Sequence, residues 1–302
     1  MCPTPLDPKD LPVAFIGTGV MGASMAGHLM RAGCRLRLYT RTRSRAQALL
    51  DQGALWADTP AEAAREAQVV FSIVGFPDDV EAVYLGTDGV LSAVQPGTVI
   101  ADLTTSRPDL AQRIAEAALA QSCAALDAPV SGGDVGAREA RLSIMVGGDS
   151  DAFEKVRPLF QAMGRNIVLQ GPAGSGQYTK MVNQIVIASG MLGICESLTY
   201  AMASGLDPER VLTSISTGAA GSWSLDNLAP RILQGDYAPG FYVKHFLKDL
   251  TIALESASAM QLDLPGLTAA RKLYAQLTEA GHGDDGTQAL FRLYERQLDT
   301  NA

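Results

Sequence analysis

Among its 302 residues the chain has only four cysteines, three histidines and two tryptophans. Cys2, Cys34, Cys123 and Cys195 are far apart and form no Cys-x-x-Cys pair, so neither a disulfide framework nor a zinc site is encoded. His28, His245 and His282 have no ligand spacing, and no metal is expected. A reducing compartment is the simplest inference. Basic residues are also in deficit: 24 Lys plus Arg face 32 Asp plus Glu, a net charge of −8. Without an overall positive field the chain is not a dedicated nucleic-acid binder, although a local basic patch can still hold one phosphate. The start, MCPTPLDPKD, has neither the basic residues nor the apolar run of a secretory signal. A poorly ordered leader over residues 1–10 of a cytoplasmic protein is expected. No unbroken apolar run reaches the ~18 residues of a membrane span. The most apolar stretch, Met181 to Tyr200, is interrupted by Asn183, Gln184, Ser189, Glu196 and two glycines, and is expected to be a helix buried between domains or at a dimer interface rather than in a membrane.

What is present is a globular composition, 47% hydrophobic and 19% charged with 30 glycines, and enough length for about two domains. Short apolar runs at Val13–Gly17, Leu36–Thr40, Val69–Val74, Thr98–Leu103, Ala124–Val130, Leu142–Gly147 and Ile167–Leu169 read as strands. Helical patterns at Met21–Ala32, Ser44–Gln52, Thr59–Ala67 and Asp109–Ser122 lie between them. That alternation predicts an α/β, doubly wound parallel sheet over residues 11–173. From Gly174 to residue 302 the strand signal is gone. Pro208 and Pro265 stand near helix starts and Gly205 and Gly281 after helix ends, predicting an all-α C-terminal domain.

Three clusters carry chemistry. Gly17-Thr18-Gly19-Val20-Met21-Gly22 follows the first strand and opens a helix, the context in which Gly-x-Gly-x-x-Gly binds a dinucleotide. Gly17 permits the turn, Gly19 lets the pyrophosphate approach backbone, Gly22 lets helix pack on strand, and the helix N-terminus faces the anion. At the end of the second strand, where an NAD site usually has an acid, the chain has Arg41-Thr42-Arg43-Ser44-Arg45. Three arginines beside a helix N-terminus oppose its dipole, and a 2′-phosphate of NADPH would resolve the conflict; a solvated basic turn is the plain alternative. Ser131-Gly132-Gly133, after a predicted strand, groups a hydroxyl with backbone N–H donors suited to a small carboxylate. Lys180, Asn183 and Gln184 share one face of the long apolar helix. A lysine in such surroundings sheds its proton more readily and suits acid/base work, unless it reaches solvent near the helix start.

With these motifs in this order, the chain from about residue 11 to 298 resembles the β-hydroxyacid dehydrogenase family, which includes 3-hydroxyisobutyrate dehydrogenase, tartronate semialdehyde reductase and the glyoxylate/succinic semialdehyde reductases. The resemblance implies a Rossmann domain joined by a long helix to an all-α domain, an active site in the cleft between them, and a homodimer or homotetramer. It makes Lys180 the acid/base and Asn183 its substrate-ordering neighbour, with Ser131, Gly132 and Gly133 on the substrate carboxylate and Trp223 beside the substrate. Val74, Gly75, Phe76, Thr105 and Lys248 become cofactor contacts. Arg41 and Thr42 resemble the NADP-using members, so NADP(H) is the expected cofactor, with NAD as the alternative. The chain departs from the family at Ala140-Arg141-Leu142, where Gly-Thr-Leu is frequent, and at Asn183-Gln184, where two asparagines are frequent. The expected reaction is hydride transfer between nicotinamide and a small hydroxy acid. Its rivals are an imine reductase, which usually lacks the lysine, a 6-phosphogluconate-type decarboxylase, which needs a further basic cluster, and a non-catalytic NADPH-binding module.

Overall fold

The computed structural model describes residues 3–299. Contacts divide the chain into two units, Met1–Lys180 and Met181–Ala302. In the first unit nine strands form one sheet: β1 (Pro12–Ile16), β2 (Arg35–Tyr39), β3 (Leu55–Trp56), β4 (Val69–Ser72), β5 (Val99–Asp102), β6 (Ala124–Asp127), β7 (Val130–Ser131), β8 (Leu142–Gly148) and β9 (Gly164–Gly171). Its helices are α1 (Val20–Arg31), α2 (Gln47–Leu50), α3 (Pro60–Ala64), α4 (Pro77–Leu85), α5 (Pro108–Leu119), α6 (Gly133–Arg138) and α7 (Ser150–Met163).

The strand order is β3-β2-β1-β4-β5-β6-β8, with β7 and β9 also paired to β8. β1 sends Val13 and Phe15 into one core and Ala14 and Ile16 into the other, the two-faced burial that parallel strands require. Pairing is parallel from β3 through β6 and becomes antiparallel where β8 meets β6 and β7. The parallel sheet expected over residues 11–173 is present, with antiparallel pairing confined to the contacts of β8 with β6 and β7. Only about ten residues separate β7 from β8, fewer than a parallel crossover needs. The sequence reading leaves α4, α6 and α7 unassigned. Asp149 caps α7 by accepting from Ala152 N–H at 2.8 Å, and Phe153, Val156, Phe160 and Met163 bury one face of it. Of the leader expected at residues 1–10, Met1 and Cys2 lie outside the described residues. Leu6 packs against the first core, and its N–H donates to Lys155 O at 2.8 Å.

The helix α8 (Ser175–Ala203) carries the division between the two contact units, at Lys180 and Met181. The second unit continues with α9 (Pro208–Ile215), α10 (Trp223–Asn227), α11 (Ala229–Leu233), α12 (Val243–Ala259), α13 (Pro265–Leu277) and α14 (Arg292–Asp299). Met191, Ile194 and Leu198 of α8 join Phe246, Leu250 and Tyr274 in its core. By length and composition α8 could cross a membrane, with mean hydropathy 1.5 in its most apolar window. Its burial is one-sided rather than complete, because Val182, Val186 and Tyr200 are exposed. Each core contains one cysteine: Cys34 and Cys123 on the two faces of the sheet, and Cys195 in the helical unit. Burial pushes the Cys34 thiol up to about 11 and raises the other two.

Candidate active site

The loop between β1 and α1 is shaped by what its glycines exclude. Gly17 has φ +94°, and a side-chain carbon there would lie 2.1 Å from the Ile73 carbonyl oxygen. One at Gly22 would lie 1.9 Å from the Gly17 carbonyl oxygen. Only glycine lets this turn close and the helix seat on it. Gly19 is different, since a carbon there would meet no atom within 4 Å. It is the N-cap of α1 and has no side-chain cap, so the first N–H groups of a twelve-residue helix are left for an external acceptor. Beside it Thr18 Oγ1 is buried without a hydrogen-bond partner among the described residues. An open cradle, uncapped N–H groups and an orphaned hydroxyl fit the phosphates of a dinucleotide. Val20 is exposed and Met21 packs on the first core.

The basic turn after β2 is less isolated than its sequence suggests. Arg41 Nη1 lies 3.0 Å from Asp79 Oδ1, and Arg43 stacks over the Trp56 ring at 5.1 Å. Asp79 is on the first turn of α4, where its Oδ2 accepts from Phe76 N–H at 3.1 Å. Thr42 is exposed and precedes a short 3-10 turn. Val74 N–H donates to Thr104 Oγ1 at 2.9 Å, Gly75 precedes the half-exposed Phe76, and Thr105 is partly buried in the loop after β5. Sequence reasoning missed Asp79, which comes from a helix it did not assign.

Ser131 ends β7, and Gly132, at φ +128°, leads into α6 beginning at Gly133. The antiparallel pairing of Ser131 with Ser143 sets that turn. Lys180 is buried, 6% exposed, in the second turn of α8. The start of α8 is held by Asp127 at the end of β6, whose two oxygens accept from Gly174 N–H at 2.7 Å and Gln177 N–H at 2.8 Å. Burial outweighs these donors and pushes the Asp127 carboxyl up to about 6, with Asp102 beside it acting in the same direction. Asp102 is its register partner on β5 and accepts from Ser72 Oγ at 2.7 Å. Ser72 also shares a 2.6 Å hydrogen bond with Tyr84 OH, whose acidity burial suppresses.

In the second unit Asn183 Nδ2 donates to Gln184 Oε1 at 2.8 Å, and Gln184 Nε2 donates to Asp249 Oδ2 at 2.6 Å. Lys248 Nζ lies 3.1 Å from the other Asp249 oxygen. Trp223 opens α10 and is 69% exposed, so it is not a core residue. Among the described residues no cluster of His, Cys, Asp and Glu could hold a metal.

Comparison with known proteins places this architecture. Residues 12–171 match the family model described as the NAD binding domain of 6-phosphogluconate dehydrogenase. Residues 174–294 match that described as NAD-binding of NADP-dependent 3-hydroxyisobutyrate dehydrogenase. The chain belongs to the β-hydroxyacid dehydrogenase family. An oxidoreductase of Bacillus subtilis is 54% identical over 282 residues, covering 93% of this chain and 98% of its own. The 3-hydroxyisobutyrate dehydrogenase-like 1 protein of Arabidopsis thaliana is 50% identical, over 96% of this chain and 87% of its own. The solved 3-hydroxyisobutyrate dehydrogenase of Mycobacterium tuberculosis with L-serine superimposes at TM-score 0.87 and 30% identity, covering 93% and 98% of the two chains. Imine reductases share the fold alone, at TM-scores of 0.61 to 0.64 and identities of 19 to 22%. As a β-hydroxyacid dehydrogenase, the protein is an NAD(P)-dependent oxidoreductase acting on hydroxyl groups, with a Rossmann-type domain followed by a helical one.

Proposed function

We propose that this dehydrogenase prefers NADP(H) and interconverts a small 3-hydroxy acid, or a 2-hydroxy acid of glycolate size, with its semialdehyde or oxo acid. Lys180 carries the reading, because a lysine buried at the start of a helix anchored to the sheet is poorly explained by solubility or stability alone. The relatives named for 3-hydroxyisobutyrate and the structure titled with L-serine support the substrate class. A bound nicotinamide supplies hydride in reduction and takes it in oxidation. The residues Gly17–Gly22 hold its phosphates, with Val74, Gly75, Phe76, Thr105 and Lys248 as further contacts, and Arg41 with Thr42 reads the 2′-phosphate. Ser131 Oγ and the N–H groups of Gly132 and Gly133 hold the substrate carboxylate, and Asn183 and Trp223 order the rest of the substrate. In reduction, Lys180 Nζ as ammonium donates a proton to the carbonyl oxygen as it becomes an alkoxide. In oxidation the neutral amine takes that proton back.

The test is NADPH and NADH oxidation against glyoxylate, succinic semialdehyde, tartronate semialdehyde and methylmalonate semialdehyde, with 3-hydroxyisobutyrate and serine run in reverse and cyclic imines as controls. Turnover of a semialdehyde or hydroxy acid is expected. Lys180→Ala should cut kcat by about 10²- to 10⁴-fold while leaving NADPH affinity within a few-fold. Full activity in that variant, or turnover of the imines alone, would overturn the reading.

A further inference from the structure

Gln177 is fully buried in the first turn of α8, and the reaction above makes no use of its side chain. Its Nε2 donates to the Thr104 carbonyl oxygen at 2.8 Å, and its Oε1 accepts from Ser106 N–H at 2.9 Å. A glutamine amide has one donor end and one acceptor end. Here each end meets one of the two residues that flank Thr105. The same loop is tied from the sheet, since Thr104 N–H donates to Asp102 Oδ1 at 3.1 Å and Thr104 Oγ1 accepts from Val74 N–H. The backbone of Gln177 is held in turn by Asp127. Lys180 follows three residues later, one turn along the same face of the helix.

We infer that Gln177 is a positioning residue that locks loop 104–106 and Lys180 into one rigid piece. The inference rests on the proposed role of Lys180 and names the side chain that sets where its ammonium stands. An apolar residue of the same length would fill the volume but leave two buried peptide groups unpaired, and the loop would move to find other partners. A displacement of about 1 Å at an acid/base group costs roughly 100-fold in rate.

Two variants test this. Gln177→Met keeps the length and removes both hydrogen bonds. Gln177→Glu keeps an acceptor for Ser106 N–H and loses the donor to Thr104 until its carboxyl is protonated. The charged groups around that carboxyl are Asp102 and Asp127 at the strand ends and Lys180 one turn on. With NADP⁺ and 3-hydroxyisobutyrate, Gln177→Met should lower kcat about 100-fold with KM for the hydroxy acid within threefold. Divided by the parent's rate at each pH, the rate of Gln177→Glu should rise as pH falls from 8 to 6, and that of Gln177→Met should not. A second readout needs no substrate: acylation of Lys180 by a small reagent, followed by peptide mass spectrometry, should rise about tenfold in Gln177→Met relative to Lys155 and Lys272. Unchanged kcat with unchanged labelling overturns the inference. A parallel fall in Tm and kcat, with unchanged labelling of Lys180 and no recovery of Gln177→Glu at low pH, reduces Gln177 to a structural residue and overturns it as well. The labelling decides the positioning even where Lys180→Ala keeps full turnover and the acid/base reading falls.

Discussion

Arg41 already has a carboxylate in reach. Its ion pair with Asp79 is exposed on the arginine side, so it adds little to stability. A bound 2′-phosphate, with more charge and three acceptor oxygens, would compete with Asp79 for the same guanidinium. Arg41→Ala is therefore expected to weaken NADPH by about 10- to 100-fold and NADH by less than about twofold in fluorescence titrations. Equal losses for both cofactors would remove Arg41 as the reader of the phosphate. Asp127 carries a second prediction. Its carboxyl titrates at about 6 in the folded protein against an ordinary 3.8. The folded state thus holds the proton more tightly, and the resulting stabilisation is fully present below about 3.8 and lost as pH rises through 6. Compared with Asp127→Asn, the parent should lose about 2 kcal/mol between pH 4 and 7 in urea unfolding. A pH-independent difference would mean that burial does not govern this group. The glycine turn at Gly17–Gly22 and the place of Lys180 on a helix were legible because each depends on a residue type at a fixed spacing on one element. Asp127 and Gln177 were not legible, because their partners Gly174 and Thr104 lie 47 and 73 residues away. Only the fold brings such pairs together.

At the scale of the element, one turn contains two glycines with opposite requirements. Gly22→Ala drives a carbon into the Gly17 carbonyl and should lower unfolding stability by about 3 kcal/mol or more. Gly19, at φ −72° and ψ −165°, has a backbone that alanine adopts freely and open space around it. Gly19→Ala should leave the thermal midpoint nearly unchanged and weaken NADPH at least about tenfold by crowding the pyrophosphate. A stable variant with full affinity would remove Gly19 from the cofactor cradle. Apart from the two-residue β3 and the break between β6 and β7, the strands of the sheet were legible to within a few residues because their two-faced burial writes continuous apolar runs. The helices α6 and α7 were not, since Gly133 and the internal Pro158 mask their helical pattern, and α4 went unread although Pro77 at its start is the signal used at Pro208 and Pro265. The reversal at β8 was hidden too, because direction within a sheet depends on connection length rather than on strand composition.

For the whole molecule, the two-part organisation was legible in the loss of strand signal from Gly174, while the contact break inside α8 was not. Asp127 ties the first turns of α8 to the sheet, so the break in contacts comes at Lys180 and Met181 rather than at the glycine-rich linker. Placing one thiol in each of three cores gives the chain its own set of reporters. A disulfide reagent added to the native protein, with Cys2 changed to serine, reaches Cys34, Cys123 or Cys195 only when the core around it opens. Peptide mass analysis over time should give Cys195 a modification rate separate from that of Cys34 and Cys123. One rate common to all three would mean that the chain comes apart in a single step. The buried sulfurs thereby turn a static division of the chain into a timed one, in which each hydrophobic core keeps a separate clock.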